Sequence, residues 1–98
     1  MVKISELKRF DMAEYLEDEQ AITEYLTIVL GENDPVAFIA ALNTVARARG
    51  MSQIAKDAGV NRESLYRYLN GSASPHFDTI SRVLNALGVQ LAIVPKTG

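Results

Sequence analysis

Twenty consecutive residues, MSQIAKDAGVNRESLYRYLN from Met51 to Asn70, constrain this chain more than any others. They read as two short helices joined by a tight turn around Gly59, the arrangement of a helix-turn-helix. Counting from Met51, a small residue stands at position five (Ala55) and a glycine at nine (Gly59). Apolar residues stand at four, eight, ten, fifteen and eighteen (Ile54, Ala58, Val60, Leu65, Tyr68). Each has a physical reason. Ala55 lets the second helix lie close against the first. Gly59 takes positive φ at no steric cost. The apolar set holds the pair against the rest of the domain, and the second helix is then free to enter a DNA major groove. A plain helical hairpin with Gly59 as a C-cap accounts for the glycine but not for the whole pattern.

The flanking sequence supplies a platform. Residues 1–10, MVKISELKRF, alternate Val2 and Ile4 with Lys3 and Ser5, which suits a short strand or an extended arm. Asp11 is placed to cap a single turn from Met12 to Leu16. Asp18 opens a helix with Ala21, Ile22, Tyr25, Leu26, Val29 and Leu30 on one face, stopped by Gly31. Asn33-Asp34-Pro35 supplies an N-cap and a proline at the first helical position. The helix Pro35 to Ala48 follows, with Val36, Ile39, Leu42, Val45 and Ala46 on one side, widened by Phe38 and Ala41. Such a broad apolar face marks a central packing helix. Ser52 is expected to cap the first motif helix, Gln53 to Ala58, and Asn61 the second, Arg62 to Leu69. Asn70 to Pro75 is a loop. A last helix lies in Phe77 to Leu87, with Ile80, Val83, Leu84 and Leu87 at helical spacing. Val89 to Val94, VQLAIV, reads as a strand, apolar on both faces and therefore covered. It must pair either with residues 2–7 or with its copy in a second subunit. The expectation is an all-α fold in one domain, residues 1–98: an acidic helical segment (1–34), a helix-turn-helix core (35–88) and a short C-terminal β-strand (89–95). About five helices form the bundle.

Charge sharpens the reading. The formal net charge is −2, which looks wrong for a DNA binder. Residues 1–35 carry three basic groups (Lys3, Lys8, Arg9) and nine acidic ones, whereas residues 47–70 carry five basic (Arg47, Arg49, Lys56, Arg62, Arg67) and two acidic (Asp57, Glu63). This asymmetry points to two surfaces with different partners, or to one DNA-facing surface and a solvated acidic face. There are no cysteines, hence no disulfide framework and no thiol zinc site. There is no apolar run long enough for a membrane span and no signal-peptide core at the N-terminus, so a cytoplasmic location is expected.

On the second motif helix, Leu65, Tyr68 and Leu69 go to the core. The candidate base-reading residues are Asn61, Arg62, Glu63, Tyr66 and Arg67. Arg62 lies in the first turn, where arginine can bind guanine O6 and N7 bidentately for roughly 1–3 kcal/mol of discrimination. Arg67, one turn on, reaches a base or a phosphate. Glu63 either accepts from cytosine N4 or pairs with Arg67 at i+4. Tyr66 is placed for a thymine methyl or a phosphate. Arg49, Ser52, Gln53, Asn70 and Ser72 are candidate phosphate contacts, which fix register without reading sequence. Arg47 and Arg49 also serve as cations in a last helical turn before Gly50. One such unit reads half a site, and dimers join half-sites about 34 Å apart.

The stretch RARGMSQIAKDAGVNRESLYRYLNG, followed by a helix ending in NALGVQLAIVP, resembles the Xre (lambda-repressor-like) family of helix-turn-helix regulators. With FDMAEYLEDEQAITEYL and GENDPVAFIAAL ahead of the motif, it is more closely similar to the addiction-module antidote proteins, HigA-like antitoxins of RelE/HigB-type toxin pairs. That resemblance implies a cytosolic homodimer that binds double-stranded operator DNA of its own operon. It also implies a complex with a small basic toxin that cleaves mRNA at the ribosome. The acidic 1–35 segment is then a candidate toxin-facing surface. Ser52-Gln53 stands about two residues later than the Thr-Gln pair of many Xre members, which implies a shorter first motif helix. His76 takes the place of a capping serine.

Other classes fare worse. An enzyme lacks its chemistry here: no cysteine, one histidine in a loop, no Gly-rich phosphate loop and no carboxylate–histidine metal spacing. No catalytic residue, metal ligand or cofactor is expected. An interaction module that has lost DNA binding leaves Arg62 and Arg67 without a duty. Among DNA binders, the alternative is a stand-alone phage-type Xre repressor with no toxin partner.

Overall fold

A computed structural model describes residues 18–96, and within them the chain is all-helical. Five helices follow in order: α1 (Glu19–Leu30), α2 (Pro35–Arg49), α3 (Met51–Ala58), α4 (Arg62–Leu69) and α5 (Phe77–Ala86). The expected strand or arm at residues 1–10, the turn capped by Asp11 and any pairing of residues 2–7 lie outside the described residues.

Three helices begin on side-chain caps. The Asp18 carboxylate accepts from the Ala21 N–H at 2.7 Å. Asp34 accepts from Val36 N–H at 3.1 Å and Ala37 N–H at 3.2 Å, with Pro35 in the first turn. Asn61 accepts from Glu63 N–H at 2.8 Å and Ser64 N–H at 3.3 Å. Each cap satisfies donors that the first helical turn leaves without a partner.

The first motif helix departs from expectation. It starts at Met51, not Gln53, and spans eight residues. Its N-cap is Gly50, at φ 104° and ψ 106°, with no side-chain cap hydrogen bond. Ser52 is therefore inside the helix rather than capping it. The Gly50 carbonyl accepts the first helical bond, from Ile54 N–H at 3.0 Å. A backbone able to enter positive φ starts the helix directly after α2, which itself runs through Arg49.

α2 is the central support. It packs against α1 on one flank and against α3 and α4, while α5 packs on α3. Ile22, Leu42, Val45, Leu65, Val83 and Leu87 are fully buried and draw on α1, α2, α4 and the α5 region. Ile54 and the small Ala55 of α3 join the same cluster. Tyr68 is half-buried rather than in the core. Leu30 and Val36, expected on apolar faces, are exposed; Leu30 stands in the last turn of α1 and Val36 in the first turn of α2.

The C-terminal strand is not formed among the described residues. Val89 N–H is taken by the Leu84 carbonyl at 3.1 Å, in the turn that closes α5 around Gly88. Beyond it Leu91, Ile93 and Val94 are exposed, not covered. A strand exists only as half of a hydrogen-bonded ladder, and no described segment lies alongside to complete one.

Candidate nucleic-acid interface

α3 and α4 are joined through Gly59, which sits in the left-handed region at φ 70° and ψ 34°. Its N–H donates to the Lys56 carbonyl at 3.2 Å, and the next N–H, of Val60, donates to Ala55 at 2.9 Å. These bonds turn the chain sharply, so that Leu65 and Leu69 enter the core while Arg62, Glu63, Tyr66 and Arg67 face outward.

The outward face is concave. Arg47, Met51, Asn61, Arg62, Glu63, Tyr66 and Arg67 line one open depression of about 990 Å³. All five base-reading candidates are thereby brought together. Tyr66 is 55% exposed, an unusual position for a large aromatic ring with no core contact to make. Three arginines face one glutamate across the depression, so its local charge is positive although the chain is net acidic. The helical pairing of Glu63 with Arg67 is not made; an ion pair at that i, i+4 spacing is found instead on α5, Arg82 to Asp78 at 3.4 Å. Glu63 instead sits in the first turn of α4, where a carboxylate favours the helix dipole.

The phosphate candidates lie around this surface rather than in it. Arg49 is exposed at the end of α2, and Ser52 and Gln53 are exposed in the first turn of α3. Gln53 Nε2 donates one hydrogen to Asp57 Oδ1 at 2.8 Å, and its second amide hydrogen is left for a phosphate contact. Asn70 Oδ1 accepts from Ser72 N–H at 2.9 Å, and Ser72 N–H also reaches the Arg67 carbonyl at 3.0 Å. This pair forms a side-chain-stabilised turn at the far end of α4. His76 stands at the N-cap of α5 without a side-chain cap bond.

Arg47 and Met51 join the depression without having been assigned to it from the sequence. Arg47 and Arg49 had equal claims by residue type. Two residues apart on a helix, they point about 200° from each other, so one of them at most can face α4.

No group of histidine, cysteine, aspartate or glutamate side chains suited to a metal ion occurs among the described residues. No helix of the described residues is long and apolar enough to cross a membrane.

The family model for "probable addiction module antidote protein" matches residues 6–95. An uncharacterized protein of Haemophilus influenzae is 46% identical over 88 residues, which cover 90% of this chain and 91% of the relative. No solved structure matches the chain.

Proposed function

The chain belongs to the family of probable addiction module antidote proteins, and from that premise we propose that it is an antitoxin that also represses its own operon. It binds double-stranded operator DNA through the outer face of α4 and acts as a homodimer on two half-sites. It neutralises a small basic toxin of the RelE/HigB type by direct contact, in the cytoplasm and without a cofactor. Its role is binding, not catalysis. Its helices form a bundle of the lambda-repressor type within a single domain.

One observation carries the DNA reading: α4 buries Leu65 and Leu69 and turns Arg62, Tyr66 and Arg67 outward into one positive depression. Arg62 reads guanine from the first turn, and Asn61 sits beside it at the helix start. Glu63, with no ion pair to Arg67, keeps its carboxylate for cytosine N4. Arg49, Ser52, Gln53, Asn70 and Ser72 set the register on the phosphates. The toxin reading rests on charge. Residues 18–34 carry Asp18, Glu19, Glu24, Glu32 and Asp34 and no basic residue. Ile28, on the outer side of α1, is 67% exposed and supplies an apolar anchor among them.

The deciding experiment is co-purification with the protein of the flanking open reading frame, followed by a gel shift on the upstream DNA. Retardation at low and moderate salt, together with a small basic partner, is the expected result. Absence of retardation even at about 50 mM salt, where phosphate contacts are strongest, removes the repressor reading. Retardation with no partner protein leaves the stand-alone repressor.

A further inference from the structure

A cleft of about 580 Å³ lies between the start of α2, the C-terminal end of α4 and the loop that leads into α5. Val36, Ile39, Tyr68 and Phe77 form its apolar walls, and no charged residue lines it. Val36 is 79% exposed and Phe77 is 71% exposed. Both stand in first helical turns, where acidic and small polar residues are the favoured choice. Neither belongs to the core. Local structure and packing therefore give no reason for large apolar side chains at these two places.

We propose that this cleft is the face on which a second copy of the chain docks across a two-fold axis. In a two-fold dimer each patch meets itself, so a patch of one charge sign repels its own copy. That argues against the α1 face with Glu24 and Glu32, and against the α4 depression with its three arginines. The cleft is neutral and self-compatible. It has the anatomy of an interface: an apolar centre, with Asn70 and Ser74 as polar lining.

Position adds a second argument. Tyr68, Leu69 and Asn70 belong both to the end of α4 and to the cleft. Half-sites about 34 Å apart put the two-fold axis roughly 17 Å from the centre of each reading helix. An eight-residue helix ends only about 6 Å from its centre, so an axis passing beside the cleft is within that reach. The exposed tail after Val89 instead leaves the molecule where Gly88 meets Glu19, on α1. This spacing argument rests on the DNA-binding reading; the self-pairing argument does not.

Sedimentation of the full chain without DNA tests the interface. At about 100 µM, where a micromolar dimer is saturated, the wild type is expected to be dimeric. Val36→Glu and Phe77→Glu should each raise the dimer Kd at least tenfold, while helix content, and melting measured well below the wild-type dimer Kd, stay near wild type, since an acid in a first turn is favourable. Val36→Leu should remain dimeric. As the chain has no cysteine, Ser74→Cys with a short bismaleimide gives an independent readout on a folded protein. It should cross-link to dimer, and Thr23→Cys on α1 should not. A monomeric wild type, dimers indifferent to both glutamate substitutions, or a dimer lost only when residues 90–98 are removed would overturn the proposal. A failed gel shift sinks the operator reading and leaves the sedimentation result standing; an unperturbed dimer does the reverse.

Discussion

Gly59 offers the cleanest test of how α4 is presented. Its φ of 70° and ψ of 34° are left-handed, and the Ala55 and Lys56 carbonyls hold it there. A Cβ built on this glycine meets nothing within 4 Å. Substitution therefore costs backbone conformation alone, with no clash to confuse the reading. Placing alanine in the left-handed region costs about 1–2 kcal/mol. The stiffer unfolded chain returns roughly 0.4–1 kcal/mol of that. Gly59→Ala should then lower stability by about 1 kcal/mol, or about 4–8 °C in Tm for a domain of this size. Gly59→Asn should lose less, because asparagine tolerates this region through local hydrogen bonding. Urea unfolding followed by circular dichroism at equal m-values measures both. An alanine variant as stable as wild type, or an asparagine variant less stable than the alanine one, would refute the assignment of the cost to φ.

The remaining predictions concern the proposed partners and the core. Arg62→Ala should relax base preference at one position of the operator by about 1–3 kcal/mol, read from competition gel shifts with single-base operator variants. Arg49→Ala should weaken binding evenly across sequences and reduce the salt slope by about one. Removal of residues 1–17, and in a separate full-length variant reversal of Glu17, Asp18 and Glu19, should each weaken the complex with the neighbour-encoded toxin; a complex that survives both variants removes the acidic face from the toxin reading. Leu65→Ala, at a fully buried position, should cost about 2–5 kcal/mol in denaturant unfolding.

What the sequence disclosed was mostly what is local. Asp18, Asp34 and Asn61 start helices through bonds to backbone two or three residues away, and such caps are written in consecutive residues. The start of α3 was not legible for the same reason inverted. Ser52 has the chemistry of a cap, but Gly50 begins the helix by backbone conformation with no side chain at all. Periodicity shows which way α1 and α2 face but not how far burial extends into their terminal turns, where Leu30 and Val36 are exposed. VQLAIV has strand composition, yet pairing is a property of two segments and only one of them is described. The outward set on α4 followed from its complement, Leu65 and Leu69. The apolar cleft did not, because Val36, Tyr68 and Phe77 are brought together only by the fold.

Net charge is the number that most invites a wrong conclusion about this protein, and its placement explains why. The five carboxylates of residues 18–34 sit on α1 and its link to α2, whereas the arginines of the depression come from α4 and the end of α2. α1 and α4 both lean on α2, so the two charged faces share a support. At physiological salt the Debye length is about 8 Å, short against a protein of 40 × 34 × 24 Å. On the proposed reading, DNA docked at Arg62 responds to the arginines of the depression and little to Glu24 on another helix. The two faces are consequently separable: charge reversal on α1 should alter toxin binding and leave operator affinity nearly constant near 0.15 M salt. Near 0.01 M the Debye length grows to about 30 Å, the acids of α1 oppose the approach of DNA, and the same reversal should strengthen operator binding.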